Sequence, residues 1–190
     1  MRRNTLAILA ACAAVTICGQ AQAQQPAATP AAPAAPAAPA APAAVPDQMP
    51  FDIPYGNSIT ADRAADVVKA IVAEATKSPR NWKLAISVVD THGELVYFYK
   101  MDNTQHGSVP ISQNKARTAA RLRRPTQIFN TAMQTPAGAY IATLDSPPPT
   151  ASPGGIPLVE GGKIIGAVGC SGATGDQDAV ACKAGADTVK

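Results

Sequence analysis

The stretch GGIPLVEGGKIIGAVGCSGATGDQD, residues 154–178, places eight glycines among twenty-five residues and leaves two apolar runs between them. Short apolar runs bounded by glycine form strands, and Gly161-Gly162 suits a tight turn. Residues 156–160 and 163–170 therefore read as an antiparallel hairpin. Its two outer loops, around Gly154-Gly155 and around Ser171-Gly172, are brought side by side by the same turn. Glycine lets a ligand approach the backbone closely, so this end of the hairpin is a candidate ligand mouth; turns and close packing are the competing use. Two phosphate readings fail. A Walker loop needs lysine and a hydroxyl after its last glycine, where this chain has Asp176. A dinucleotide fingerprint follows the first strand of a parallel unit, and Asp176 and Asp178 would repel a pyrophosphate while suiting the start of a helix.

The rest of the domain follows from periodicity. Thr60 and Asp62 open a helix whose Ala64, Val67, Val68, Ile71 and Ala75 recur at helical spacing until Ser78-Pro79. Residues 84–89 and 94–101 form a second hairpin around Asp90-Thr-His-Gly93, and its return strand is apolar on both faces, which calls for cover on both sides. A helix is expected over 112–124, a shorter one capped by Thr126 through Gln134, and a last one over about 176–189. The order helix, hairpin, two helices, hairpin, helix gives an α+β domain, one antiparallel sheet flanked by helices.

Before this domain, Arg2 and Arg3 precede an apolar run that ends at Ala21-Gln22-Ala23, the pattern of a secretory leader over residues 1–23. The run is too short for a spanning helix, which needs about 20 residues. A lipid anchor at Cys12 or Cys18 is the weaker alternative. Residues 24–46 hold a proline at every third position for much of their length, a spacer that excludes helix. The folded domain is then 47–190, in a periplasmic or secreted protein. Removing the leader reduces 16 basic residues to 14 against 13 acidic, a balance of +1 in place of +3. Such a balance argues against bulk nucleic-acid binding, which neutralises many phosphates. Only Cys170 and Cys182 remain, in a layout that allows a disulfide if the last helix folds back over the strand; a thiolate ligand or redox role is the alternative.

The hairpin 154–178, the stretch AISVVDTHGELVYFYKMD, and the helix start ISQNKARTAA with its K-A-x-T-A motif at residues 115–119 together resemble the haem-binding HbpS/GlcG family. That family was once catalogued as a domain of unknown function and is also found at the end of some cobalamin adenosyltransferases. The likeness spans roughly residues 59–189 and departs at Cys170, where an aliphatic residue is usual. It implies an antiparallel sheet wrapped by helices, homo-oligomers, and binding of haem or a part in its degradation. With no Cys-x-x-Cys-His sequence, haem would be held noncovalently. His106, in a polar loop, is the candidate iron ligand; Lys115, Thr118, Gly154, Gly155, Ser171 and Gly172 are the candidate cofactor-binding residues. His92 is a second imidazole. Tyr97, Tyr99 and Met101 could enclose a macrocycle or form core, and Arg117, Arg121 and Arg124 share a helical face that could receive carboxylates or stand solvated. No HExxH, nucleophile elbow or acid pair points to catalysis. A small-molecule binding protein is therefore expected, with an organic-acid enzyme or a tethered scaffold as alternatives.

Overall fold

A computed structural model describes residues 51–77 and 79–190; the leader and the proline-alanine spacer lie outside the described residues. The domain opens with helix α1, Ala61–Thr76, where Thr60 accepts from the Arg63 N–H and Asp62 lies in the positive first turn. Strands β1 (Ala85–Val89) and β2 (Leu95–Lys100) follow, then helix α2 (Ser108–Arg121), helix α3 (Thr126–Met133), a 3-10 helix (Pro136–Thr143), strands β3 (Gly155–Glu160) and β4 (Lys163–Ser171), and helix α4 (Gly175–Ala186). The four strands form one antiparallel sheet in the order β2-β1-β4-β3. The two expected hairpins are thus joined through β1 and β4.

Both central strands are buried along nearly their whole length, as strands covered on two faces must be. On one face, α1 and α4 pack with Ile86, Val88, Leu158, Val168 and Cys170 in the main core. On the other, α2 lays Ala116, Ala119 and Ala120 against Val89 and Ala167. The approach of α2 is unusually close. A β-carbon on Gly169 would lie 2.1 Å from the Ser112 carbonyl oxygen, and one on Gly155 would lie 2.4 Å from that of Lys115. Two motif glycines therefore serve to seat a helix on the sheet. Cover on both sides, expected of the strand over 94–101, goes instead to its neighbour β1. Strand β2 is an edge, with Leu95 and Tyr99 exposed and a bulge where the register with β1 shifts. Met101 is buried, and its sulfur accepts from the Leu84 N–H.

Helix α2 starts at Ser108 rather than 112, because Pro110 falls in the first turn, where a missing N–H costs nothing. It stops at Arg121 rather than 124, with Arg123 in the left-handed region at φ 54°. Thr126 does not cap α3. Its hydroxyl accepts from the buried Gly155 N–H at 2.9 Å, tying α3 to β3. The 3-10 helix over Pro136–Thr143 is not among the elements expected from periodicity. Cys170 and Cys182 form a disulfide that joins β4 to α4.

Candidate functional site

The two glycine loops do lie side by side: Gly155 pairs with Gly169, and the Cys170 N–H donates to the Gly154 carbonyl at 2.8 Å. What lies between them is the chain's own ion pair. The Lys115 ammonium donates to the Cys170 carbonyl at 2.9 Å and to Asp178 Oδ2 at 2.8 Å, and Asp178 Oδ1 accepts from the Ala173 N–H at 3.0 Å. Both side chains are at least 97 % buried. Burial holds the Lys115 ammonium below its ordinary pKa and the Asp178 carboxyl above its own, each only partly offset by the partner. Two ions withdrawn from water in this way are each other's principal compensation. Thus the backbone expected to be bare for a guest is already engaged: the Gly155 N–H by Thr126, the Ala173 N–H by Asp178. Gly154 closes over the pair, and a β-carbon there would sit 2.8 Å from Asp178 Cβ and 3.1 Å from Lys115 Nζ.

The remaining candidates are placed as follows. Ser171 is buried at the end of β4 opposite Ala85, and Gly172 packs on the Lys83 carbonyl. Thr118 is buried, with Oγ1 accepting from the Thr150 N–H, so it secures the loop before β3. His106 is exposed in the turn ahead of α2, nine residues before Lys115. Close by, the Ser108 hydroxyl is buried and, among the described residues, without a hydrogen-bond partner. The arginine face divides. Arg117 donates to the Gly93 carbonyl, Arg121 pairs with Asp145 at 3.0 Å, and Arg124 lies over the Phe51 and Phe129 rings.

Open space lies beside the glycine loops. A cleft of ≈ 600 Å³ runs between β3 and α4, with Gly154, Gly155, Ile156, Pro157 and Val159 on one wall, Ala179, Lys183 and Ala186 on the other, and Val189 and Lys190 at its end. These apolar walls suit a macrocycle; of the charged lining residues, Lys183 is paired with Asp187 at 2.6 Å, which leaves Lys190 to suit a carboxylate. None of the lining residues is His, Tyr, Cys or Met, so iron would find no ligand in these walls. A second cleft, of ≈ 610 Å³, holds Tyr55, His92 and Arg121 together. His92 and Arg121 are unconnected features of the sequence; their meeting depends on the β1–β2 turn lying beside the end of α2. Tyr55 spends its hydroxyl on the Ala120 carbonyl at 2.9 Å, and burial raises its pKa.

A family model described as haem degrading protein HbpS-like matches residues 59–187. The chain belongs to the HbpS-like family. GlcG of Escherichia coli K12 is 39 % identical over 113 residues, which span 60 % of this chain and 81 % of GlcG. Among solved structures, the Klebsiella pneumoniae protein ORFY superimposes with a TM-score of 0.65 at 27 % identity, covering 76 % of this chain and 95 % of ORFY. A PduOC:heme complex superimposes at 0.63, covering 70 % and 96 %; at 20 % identity it shows the fold alone. The HbpS-like span begins at the buried Ile59, whose N–H donates to the Ile165 carbonyl, and ends at Asp187 just after α4. It takes in every strand and helix described above.

Proposed function

We propose that this protein is an exported small-molecule binding protein that holds haem noncovalently and serves its handling or sensing. Membership of the HbpS-like family carries this reading. Two features of the molecule support it. The β3–α4 cleft has the volume and apolar walls of a small-molecule site, with Lys190 at its end to receive a carboxylate, and any iron ligand would have to come from outside its lining. The buried Cys170–Cys182 disulfide suits an oxidising compartment, in keeping with a leader over residues 1–23 and with a periplasmic or secreted destination. Bound haem would supply a redox-active iron whose axial ligand tunes its potential. The imidazole would come from one of the chain's two histidines: His106, beside the orphaned Ser108 hydroxyl, or His92, in the cleft with Tyr55 and Arg121.

Haemin titration into the purified protein is expected to give a saturable Soret change. Loss of that change in His106→Ala, with His92→Ala unaffected, assigns the ligand to His106; the reverse pattern assigns it to His92. Absence of any saturable spectrum in the unaltered protein rules haem out as its cofactor.

A further inference from the structure

Four large apolar side chains stand exposed along α3, the 3-10 helix and its end: Ile128 (40 %), Met133 (58 %), Tyr140 (57 %) and Leu144 (45 %). The two helices are seated closely on one another, since a β-carbon on Gly138 would lie 2.4 Å from Met133 Cα and 2.6 Å from the Ala132 carbonyl oxygen. Ile128, Tyr140 and Leu144 thus surround one hollow of ≈ 290 Å³, lined further by the buried Phe129 and Ile141 and by Arg124. Apolar residues exposed singly are ordinary, whereas a fixed group of them marks a surface that meets something else.

Charge indicates what it meets. Between Asp102 and Asp145 the chain has no acidic residue, but it has Lys115, Arg117, Arg121, Arg123 and Arg124. Lys115 and Arg121 are answered by Asp178 and Asp145. Arg123 and Arg124 differ. Among the described residues they donate to the carbonyls of Ile53 and Leu122, lie over the rings of Tyr55, Phe51 and Phe129, and meet no carboxylate. A two-fold pairing of this face with itself would set arginine against arginine, with no acid in the segment to answer them. An anionic layer with an apolar interior suits both features: guanidinium groups pair with phosphates, and tyrosine suits a boundary that is apolar on one side and wet on the other.

We propose that α3 and the 3-10 helix dock this protein on an anionic phospholipid bilayer, with Ile128, Met133, Tyr140 and Leu144 entering the boundary between headgroups and acyl chains and Arg123 and Arg124 taking lipid phosphates. The protein then lies on the bilayer without spanning it. Docking of this kind is independent of haem.

The test is co-sedimentation of the purified protein with vesicles of phosphatidylcholine alone and of phosphatidylcholine mixed with phosphatidylglycerol. Partition onto the anionic vesicles is expected to be about tenfold or more stronger, and to weaken as salt is raised. I128S/M133S, which alters only exposed side chains, should lower that partition about tenfold while sedimenting in the absence of lipid as the unaltered protein does. Should this variant fold poorly, Tyr140→Trp decides: the emission of the added indole is expected to shift to the blue with anionic vesicles and to stay unchanged with neutral ones. Equal partition onto both vesicle types, or none, overturns the proposal. So does anionic binding that I128S/M133S leaves intact, which would be adhesion by charge alone. Loss of self-association in I128S/M133S without vesicle binding by the unaltered protein would make this face a contact between copies and also overturns it. Binding of polyglutamate in place of vesicles, lost in the same variant, would assign the face to an acidic polypeptide and overturns it as well.

Discussion

Gly169 and Gly107 show how differently two glycines of one chain are used. A β-carbon on Gly169 would overlap backbone atoms of α2, at 2.1 Å from the Ser112 carbonyl oxygen and 2.5 Å from the Ala116 nitrogen, and backbone cannot rotate away. Gly169→Ala is expected to lower unfolding stability by about 3 kcal/mol in a denaturant titration, the cost of overpacking a tight interface. Gly107 meets nothing within 4 Å and has an ordinary φ of −62°, so Gly107→Ala should stay within about 0.5 kcal/mol. Lys115 and Asp178 offer a second test. Removing one partner strands the other in the core, so Lys115→Met should cost about 3–5 kcal/mol, and K115M/D178L should recover much of that loss. The pair also titrates in a defined sense. Desolvation raises the folded pKa of Asp178, so its contribution is fully present below the unfolded pKa and is lost as pH rises through the folded value. The stability of the unaltered protein relative to Asp178→Asn should therefore grow as pH falls from neutrality into the carboxylate range; a flat difference would show an unshifted carboxyl. Lysine and aspartate were both visible in the sequence, and both stand in the motifs that carry the family resemblance. Their pairing was not, because 63 residues separate them and only the stacking of α2 and α4 around the end of β4 brings them to 2.8 Å.

At the scale of elements, local signals located every strand and α-helix and misplaced several ends. Helix α4 begins with a capping box, in which the Thr174 hydroxyl accepts from the Gln177 N–H and the Gln177 side chain accepts from the Thr174 N–H. Thr174→Ala should cost about 1 kcal/mol, read as a loss of unfolding free energy. For C170A/C182A, closure of a loop with a sequence separation of 12 predicts a loss of about 3 kcal/mol in the same measurement. Thr126 marks where local reasoning fails. Next to Pro125 it has the look of a helix cap, but its hydroxyl serves the distant Gly155 N–H. Leaving that buried donor without a partner in Thr126→Val should cost about 1–3 kcal/mol. The 3-10 helix over Pro136–Thr143 carries little periodic signal of its own, and it sits against α3 through tertiary contact.

Taken as a whole molecule, the domain is a sheet whose two inner strands are sealed by helices and whose two outer strands differ. Strand β3 carries Pro157, which has no donor, and commits its Gly155 N–H to Thr126. Strand β2 leaves Leu95 and Tyr99 exposed, and this is the edge where a second copy of the chain would find apolar surface, in line with the homo-oligomer that the family resemblance implies. If so, sedimentation should report an assembly that Tyr99→Glu weakens. Among the described residues no helix is long and apolar enough to cross a membrane. The proposed export predicts that protein recovered from its native host begins at Gln24 by mass spectrometry; a retained Met1 would contradict it. The fold class was legible from sequence because hydrophobic periodicity and glycine punctuation are local, and each segment reports its own conformation. The candidate site was legible only in its parts. Whether a glycine faces a guest or a helix backbone, and whether a lysine meets a ligand or an aspartate, depends on which surfaces meet when β1 and β4 close the sheet. That long-range packing has no local signature, so the tertiary structure alone decided it.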